Sequence, residues 1–233
     1  MAHADILGQE GTALSRLATV SNPVHSPNSA SWSFAEDYIA PSPDVAEARD
    51  EATVHTITPI STGVAATLKM LTRAVDAKAV VEVGTLMGAS GLTFLEGMAK
   101  DGILTSIDVE ADNQIPARTL FNRGGFQSSR FRLIAGSPIE IMPKLRDGAY
   151  DIVFINGDKL EYVEYVASAL RLLRHGGLLI VNDVLWNNHV ADPEDESDEA
   201  IIIREALEAV TSSESYTQAM LPVGNGLLVA VKD

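Results

Sequence analysis

The stretch that decides the fold is Ala79-Val80-Val81-Glu82-Val83-Gly84-Thr85-Leu86-Met87-Gly88-Ala89-Ser90: an apolar run with one embedded carboxylate, then two glycines with three residues between them. The run reads as a buried strand, and the glycines as a tight turn that delivers the chain into the N-terminus of a helix. The pattern recurs downstream. Apolar runs at 103–108 (ILTSID), 131–136 (FRLIAG), 150–156 (YDIVFIN) and 178–183 (LLIVND) alternate with helix-like stretches near 90–99, 113–123, 138–146 and 160–174. Runs that are apolar throughout belong to parallel strands covered on both faces. The expected fold class is therefore α/β: a doubly wound, mostly parallel sheet with helices on both faces and its ligand beyond the carboxyl ends of the strands. The stretch 160–174 runs into Arg174, His175, Gly176 and Gly177, a helix stop. A last helix over DEAIIIREALEAV leads to YTQAMLPV, Gly224-Asn225-Gly226 and LLVAVK, which predicts a C-terminal antiparallel hairpin closing the sheet edge.

Upstream, GVAATLKMLTRAV spaces Val64, Leu68, Leu71 and Val75 by threes and fours, as an amphipathic helix does. Residues 1–20 read as a short amphipathic helix and SNPVHSPNSAS as a linker. The segment 33–56 reads as helical in patches, interrupted by Pro41 and Pro43, with Trp32, Phe34 and Tyr38 as packing anchors. This divides the chain into an N-terminal appendage, residues 1–54, partly flexible, and a main domain, residues 55–233.

A length of 233 residues with 46% apolar and 21% charged residues suits one α/β domain with a real core. The net charge of −15 repels phosphate backbones and anionic headgroups, which argues against nucleic acid and membrane as partners. The absence of cysteine removes disulfides, thiolate metal sites and a cysteine nucleophile. No apolar run approaches the ~20 residues that span a bilayer, and the N-terminus lacks a basic start followed by an apolar segment, so a cytoplasmic location is expected.

The turn at 84–90 is not GxGxxG, which weakens a dinucleotide reading. Asp108 closes the second strand 24 residues after Gly84, where a carboxylate accepts ribose hydroxyls; together they imply an adenosine-type ligand. Taken alone, the glycine turn is equally a structural requirement of the strand-to-helix connection. Glu82 inside an apolar strand carries a desolvation cost. Either it faces a cationic ligand, such as the sulfonium and ammonium groups of S-adenosylmethionine, or it is a satisfied strand-end carboxylate. The fourth and fifth strands end in Asn156, Asp158 and Lys159 and in Asn182 and Asp183. Those oxygens are either a hard-cation site for Mg²⁺ or Ca²⁺, or helix caps. Lys159 is either a general base with a pKa lowered by burial, or the partner of Asp158.

Six segments in unbroken order over residues 55–233 resemble one family: VVEVGTLMGAS, SID at 106–108, AGSPIEIMPKL at 135–145, YDIVFINGDKLEY at 150–162, GGLLIVNDVLWNN at 176–188 and LPVGNGLLVAVK at 221–232. The chain is similar to the cation-dependent class I S-adenosylmethionine O-methyltransferases of the catechol and caffeoyl-CoA type. The resemblance implies a Rossmann-like sheet, S-adenosylmethionine as cofactor, a hydroxyl of a small phenolic or catechol-like molecule as methyl acceptor, and a homodimer. It places Glu82, Gly84, Thr85 and Ser90 on the methionine-binding loop, Asp108 on the ribose carboxylate with Val109 beside it, Ser137 and Pro138 on the adenine wall, and Ile60 near the cofactor's border. Lys159 falls on the catalytic base of the catechol type and Asp158 on an acidic position of the caffeoyl-CoA type, counted here with both the cofactor and the catalytic groups. Asn156 and Trp186 fall at the acceptor.

The family holds its metal with an Asp after strand four and an Asp-Asn pair after strand five. Here those places hold Asn156, Asn182 and Asp183, so one carboxylate is lost and the pair is inverted. The expectation is a methyltransferase whose Mg²⁺ dependence is weakened or absent. The alternatives are a non-catalytic S-adenosylmethionine-binding or sensing protein and, less favoured, a nucleotide-dependent oxidoreductase. The run 191–199 carries six carboxylates where the resemblance puts a substrate-covering loop. It either discourages an anionic CoA thioester or simply starts a helix. His175 and His189 read as surface residues, and Tyr162 as lining the acceptor pocket or packing.

Overall fold

In a computed structural model, which describes residues 26–233, the decisive stretch forms strand β1 (Ala79–Val83) and helix α4 (Ala89–Gly97), joined by the glycine turn. The remaining strands are β2 (Ile103–Asp108), β3 (Phe131–Ala135), β4 (Tyr150–Ile155), β5 (Leu173–Asn182), β6 (Tyr216–Leu221) and β7 (Leu227–Lys232). Their order in the sheet is β3-β2-β1-β4-β5-β7-β6. The first five are parallel, while β7 runs antiparallel to β5 and β6 antiparallel to β7, so the predicted hairpin closes the edge. The order reverses between β1 and β4, and a doubly wound sheet opens its crevice at that switch point.

The apolar strands feed two cores because successive side chains leave opposite faces. Val80, Ile152, Phe154, Leu178 and Ile180 pack against α2 (Pro43–Val54), α3 (Thr62–Ala74), α4 and α5 (Gln114–Arg123). Val81, Val83, Val153, Ile155, Leu179 and Val181 pack against α7 (Tyr162–Leu172) and α8 (Asp198–Thr211). A short α6 (Pro138–Ile141) follows β3. As the edge strand, β3 is half exposed, with Arg132 and Ala135 in solvent.

Three expectations need correction or placement. Among the described residues, Trp32, Phe34 and Tyr38 are not buried packing anchors: they are 45%, 69% and 69% exposed, and Phe34 and Tyr38 meet each other. They lie on or just after α1 (Ser29–Glu36), which buries none of its residues and is tethered by polar contacts, Glu36 accepting the N–H groups of Gly63 and Gly224. Aromatic character alone does not say which surface a ring will meet. The basic-glycine segment 174–177 is not a helix tail, because α7 ends at Leu172 and the segment forms the irregular start of β5, where the pairing with β4 slips between Tyr150 and Ile152. The stretch 1–20 lies outside the described residues. Pro43, by contrast, sits in the first turn of α2 behind the Ser42 cap, where its missing N–H costs nothing. No helix among the described residues is long and apolar enough to cross a membrane.

Asp151 fixes the base of the switch point. Its carboxylate accepts the N–H groups of Lys78 and Ala79 at 2.7 and 2.8 Å and Arg174 Nε at 2.6 Å, tying the starts of β1, β4 and β5 together. Hydrogen bonds to a charged group contribute on the order of 1.5–3 kcal/mol each when one partner is removed. Asp151→Ala is expected to lower the stability measured by urea unfolding by about 2 kcal/mol; an unchanged midpoint would contradict this account.

Candidate active site

A cleft of about 500 Å³ opens at the carboxyl ends of β1, β2 and β4, within the usual size of small-molecule sites. One wall is the turn after β1. Gly84 has φ +93, and a Cβ there would collide with the backbone of Asn156 at the end of β4, so the two loops approach as only glycine allows. Leu86 also adopts a left-handed backbone, at φ +46, an uncommon and costly conformation for a branched side chain. It is held there by its N–H, which donates to Asp108 Oδ2 at 2.8 Å. Asp108 Oδ1 accepts the N–H of Glu110 at 2.8 Å and, more weakly, Asn113 Nδ2 at 3.4 Å. A carboxylate has about four lone-pair sites, so one remains and the long Asn113 contact is the cheapest to give up.

Behind the turn, Glu82 is fully buried. Its Oε2 accepts Ser106 Oγ at 2.5 Å, Ser106 Oγ and Thr85 Oγ1 share a hydrogen bond at 2.6 Å, and Oε1 has no partner. Burial pushes the carboxyl up to about 7 against the hydrogen bonds of Ser106 and Ser90, and the charge of Asp108 adds to the rise. Thr85 and Ser90 are buried with it. These three support the turn from beneath and do not line the cleft, whereas Gly84, Asp108, Val109 and Pro138 do. Ser137 caps α6. Ile60 packs in the core with its carbonyl accepting Arg49 Nε, and the cleft takes Ile57 and Thr58 from that segment instead.

The opposite wall carries Lys159. Its Nζ lies 3.3 Å from Asp183 Oδ2, 3.4 Å from the Gly157 carbonyl oxygen, and 5.0 and 5.5 Å from the ring centres of Tyr162 and Trp186. Its side chain is 12% exposed, and burial lowers its pKa although Asp183 and Asp158 pull it up. Asp158 is exposed and caps the turn Lys159–Glu161 by accepting the Leu160 N–H. Tyr162 is buried and donates to the Asn182 carbonyl oxygen, so it packs under Lys159.

The three expected metal positions do not form a donor set. Asn156 Oδ1 accepts Asn182 Nδ2 at 2.9 Å, Asn182 is buried away from the cleft lining, and Asp183 is engaged by the Lys159 amine. Among the described residues no group of three or more His, Asp and Glu side chains is arranged to hold a metal ion. A hard divalent cation needs several oxygen ligands; of these three residues only Asp183 is a carboxylate, and it is paired with Lys159, while Asn182 Oδ1 is buried without a hydrogen-bond partner. Of the acidic run, Glu199 alone reaches the cleft; the carbonyls of His189, Val190, Asp192 and Asp195 are gathered by Arg204, and Asp198 and Glu199 open α8. His175 is exposed, and His189 is half exposed and paired with Asp195.

Sequence reasoning missed Glu110, Glu161, Tyr165, Ile57 and Thr58 in the lining. They come from three segments far apart in the chain: Ile57 and Thr58 before α3, Glu110 after β2, and Glu161 and Tyr165 at the start of α7. Lys159 is the one basic side chain among the described lining residues, against Asp108, Glu110, Asp158, Glu161, Asp183 and Glu199.

A doubly wound sheet with a nucleoside-sized cleft at its switch point defines a class of cofactor-binding α/β proteins. The chain belongs to the O-methyltransferase family, whose model matches residues 40–233. A probable O-methyltransferase of Mycobacterium tuberculosis strain H37Rv is 40% identical over 202 residues, covering 87% of this chain and 90% of the relative. Among solved structures, a Corynebacterium glutamicum protein superposes with a TM-score of 0.79 at 28% identity, covering 86% of this chain and 94% of that one. The O-methyltransferase TomG from Streptomyces achromogenes, solved in complex with S-adenosylmethionine, shares the fold with a TM-score of 0.78 at 22% identity and the same coverages.

Glu82 makes stability depend on pH. Between the ordinary carboxyl range and about pH 7 the folded state keeps a proton that the unfolded state has shed, so stability falls as pH rises through that window, by on the order of 3 kcal/mol. Glu82→Gln is expected to abolish this component in urea unfolding of the free protein at pH 5.0 to 7.5. Parallel curves for the two proteins would rule it out.

Proposed function

We propose that this O-methyltransferase binds S-adenosylmethionine along the turn after β1 and methylates a hydroxyl of a small phenolic acceptor with little or no need of a divalent cation. One observation carries the reading: at the switch point, Asp108 and the glycine turn face the Lys159–Asp183 pair across a single cleft. The cofactor fits the residues present. Gly84 leaves backbone room, Asp108 keeps acceptor capacity for ribose, Val109 and Pro138 offer apolar contact to a base, and the field of Glu82 and Asp108 suits a cation. Ser137 and Ser90 act as supports in this reading, and Thr85 links the turn to Ser106. When bound, S-adenosylmethionine supplies a sulfonium methyl that the acceptor oxygen takes as the carbon–sulfur bond breaks and its electron pair stays on sulfur.

The chain's own task is then alignment and proton removal. Lys159, desolvated and so easier to find as the free amine, takes the acceptor's hydroxyl proton, and Asp183 holds the ammonium that results. Trp186 and the backbone of Asn156 shape the acceptor side, and Asp158 caps the loop that presents Lys159. A homodimer belongs to the same reading, with the exposed Trp32, Phe34 and Tyr38 as its apolar contact face.

Calorimetry with S-adenosylmethionine and S-adenosylhomocysteine, followed by mass spectrometry on a phenol library with and without EDTA, tests the proposal. No affinity for either compound would refute it, and binding without any methylated product would favour a sensing role. Asp108→Asn is expected to weaken S-adenosylhomocysteine by ~10–100-fold, the value of a charged hydrogen bond. Lys159→Met is expected to cut turnover by ~10²–10⁴-fold, the usual range for a general base, while cofactor affinity stays within about threefold. Sedimentation at micromolar concentration that shows monomer alone would remove the dimer.

A further inference from the structure

The loop 183–188, which carries two of the residues lining the cleft, has an unusual backbone. Asp183, Trp186, Asn187 and Asn188 have φ of +58, +42, +53 and +75. Asp and Asn tolerate the left-handed region, but a bulky residue such as Trp186 is an outlier there and has to be held by its surroundings. The holder is the turn between β6 and β7. The carbonyl oxygens of Asn225 and Gly226 accept the N–H groups of Leu185 and Val184 at 2.9 and 3.2 Å. Asn225 Oδ1 accepts the N–H of Asn187 at 2.8 Å, the one side-chain hydrogen bond to the backbone of 184–188 among the described residues. That N–H belongs to the peptide directly after Trp186. A peptide unit is planar, so the Asn225 amide fixes the plane from which the indole projects. The turn is pinned on its far side as well, where Glu36 Oε2 accepts the Gly224 N–H at 2.9 Å. Turn and loop are in close contact, since a Cβ at Gly226 would lie 2.5 Å from Leu185 Cγ.

We propose that Asn225 is a positioning residue for the methyl acceptor: through the Trp186–Asn187 peptide it sets the indole that lines the cleft and steadies the loop whose first residue, Asp183, pairs with Lys159. The inference rests on the proposed function, which puts the acceptor beside Trp186 and Lys159. Lys159 Nζ lies 3.3 Å from Asp183 Oδ2 and 5.5 Å from the centre of the Trp186 ring, so a shift of the loop moves two neighbours of the amine at once. Asn225 itself is outside the lining, and the cofactor side keeps its own ties, the bonds of Asp108 to Leu86 and Glu110. Loss of the Asn225 amide therefore disturbs the acceptor and spares the cofactor.

The chain has two tryptophans, Trp32 and Trp186, so in a Trp32→Phe background the emission comes from the indole of the cleft alone. Asn225→Ala removes the acceptor oxygen and Asn225→Asp keeps one. Asn225 has no positive φ, so alanine meets no backbone strain there. The full chain is saturated with S-adenosylhomocysteine, and 4-nitrophenol is titrated by its quenching of Trp186. Asn225→Ala is expected to weaken 4-nitrophenol by about 5–10-fold and to raise acrylamide quenching of Trp186 about twofold, as fits the loss of one hydrogen bond. Asn225→Asp is expected to restore both to within about twofold of the parent, with S-adenosylhomocysteine affinity by calorimetry unchanged to the same margin in every variant. A purely structural role would not give this split or this rescue. The inference is overturned if Asn225→Ala matches the parent in both readouts, if Asn225→Asp falls as far as Asn225→Ala, or if the cofactor product is weakened as much as the probe. Calorimetry on the parent separates the two levels. Normal S-adenosylhomocysteine binding with an indifferent Asn225→Ala sinks the role of Asn225 alone, whereas a parent that binds no S-adenosylhomocysteine sinks the reading beneath it. A parent that binds S-adenosylhomocysteine but no 4-nitrophenol up to millimolar concentration removes the acceptor site and the inference with it.

Discussion

The Asp108 carboxylate is the interaction on which the cleft depends. By accepting the N–H of Leu86 and of Glu110 it joins the loops after β1 and β2 and holds Leu86 in a left-handed backbone that the residue would not choose. The close approach of Gly84 to Asn156 fixes the third loop against the first. A rigid lip is thus made from three loops that have little in common in sequence. A ligand meeting Asp108 finds an acceptor already oriented by backbone donors, so little ordering cost is left for binding.

Behind this lip the charges are arranged to respond to a cation. Glu82 is desolvated, has one unpartnered oxygen and sits near Asp108, which makes its ionised form costly in the free protein. A positive group arriving in the cleft would lower that cost. The same electrostatics explains why Lys159 can stay in a buried position: Asp183 and two aromatic faces compensate the loss of water. At the ends of β4 and β5, Asn182 Nδ2 donates to Asn156 Oδ1 and the Lys159 amine pairs with Asp183, while Asn182 Oδ1 is buried without a partner.

The acidic rim has a different origin from the acidic run in the sequence. Glu110 from the loop after β2, Asp158 and Glu161 from the turn after β4, and Glu199 from the start of α8 converge at the switch point, while most of the run 192–198 is folded around Arg204 and never reaches the cleft. Local charge density in a sequence is therefore a poor guide to the field inside a site, because that field sums over groups that are close in space.

Much of the architecture was legible in the sequence. The apolar runs gave β1, β2 and β4 nearly residue for residue, because a strand buried on both faces leaves almost no freedom in composition. The glycine turn and Asp108 were legible for the same reason, since a close backbone approach and a strand-end carboxylate tolerate few replacements. Tertiary structure alone decided which surface α1 presents, how β5 begins, and that Ile57 and Thr58 rather than Ile60 line the cleft. It also decided that Asn156 pairs with Asn182 and Asp183 with Lys159, which no spacing announces. Periodicity and local turn chemistry are written along the chain, whereas the partners of a polar side chain depend on elements 20 or more residues away that are brought together only when the sheet closes.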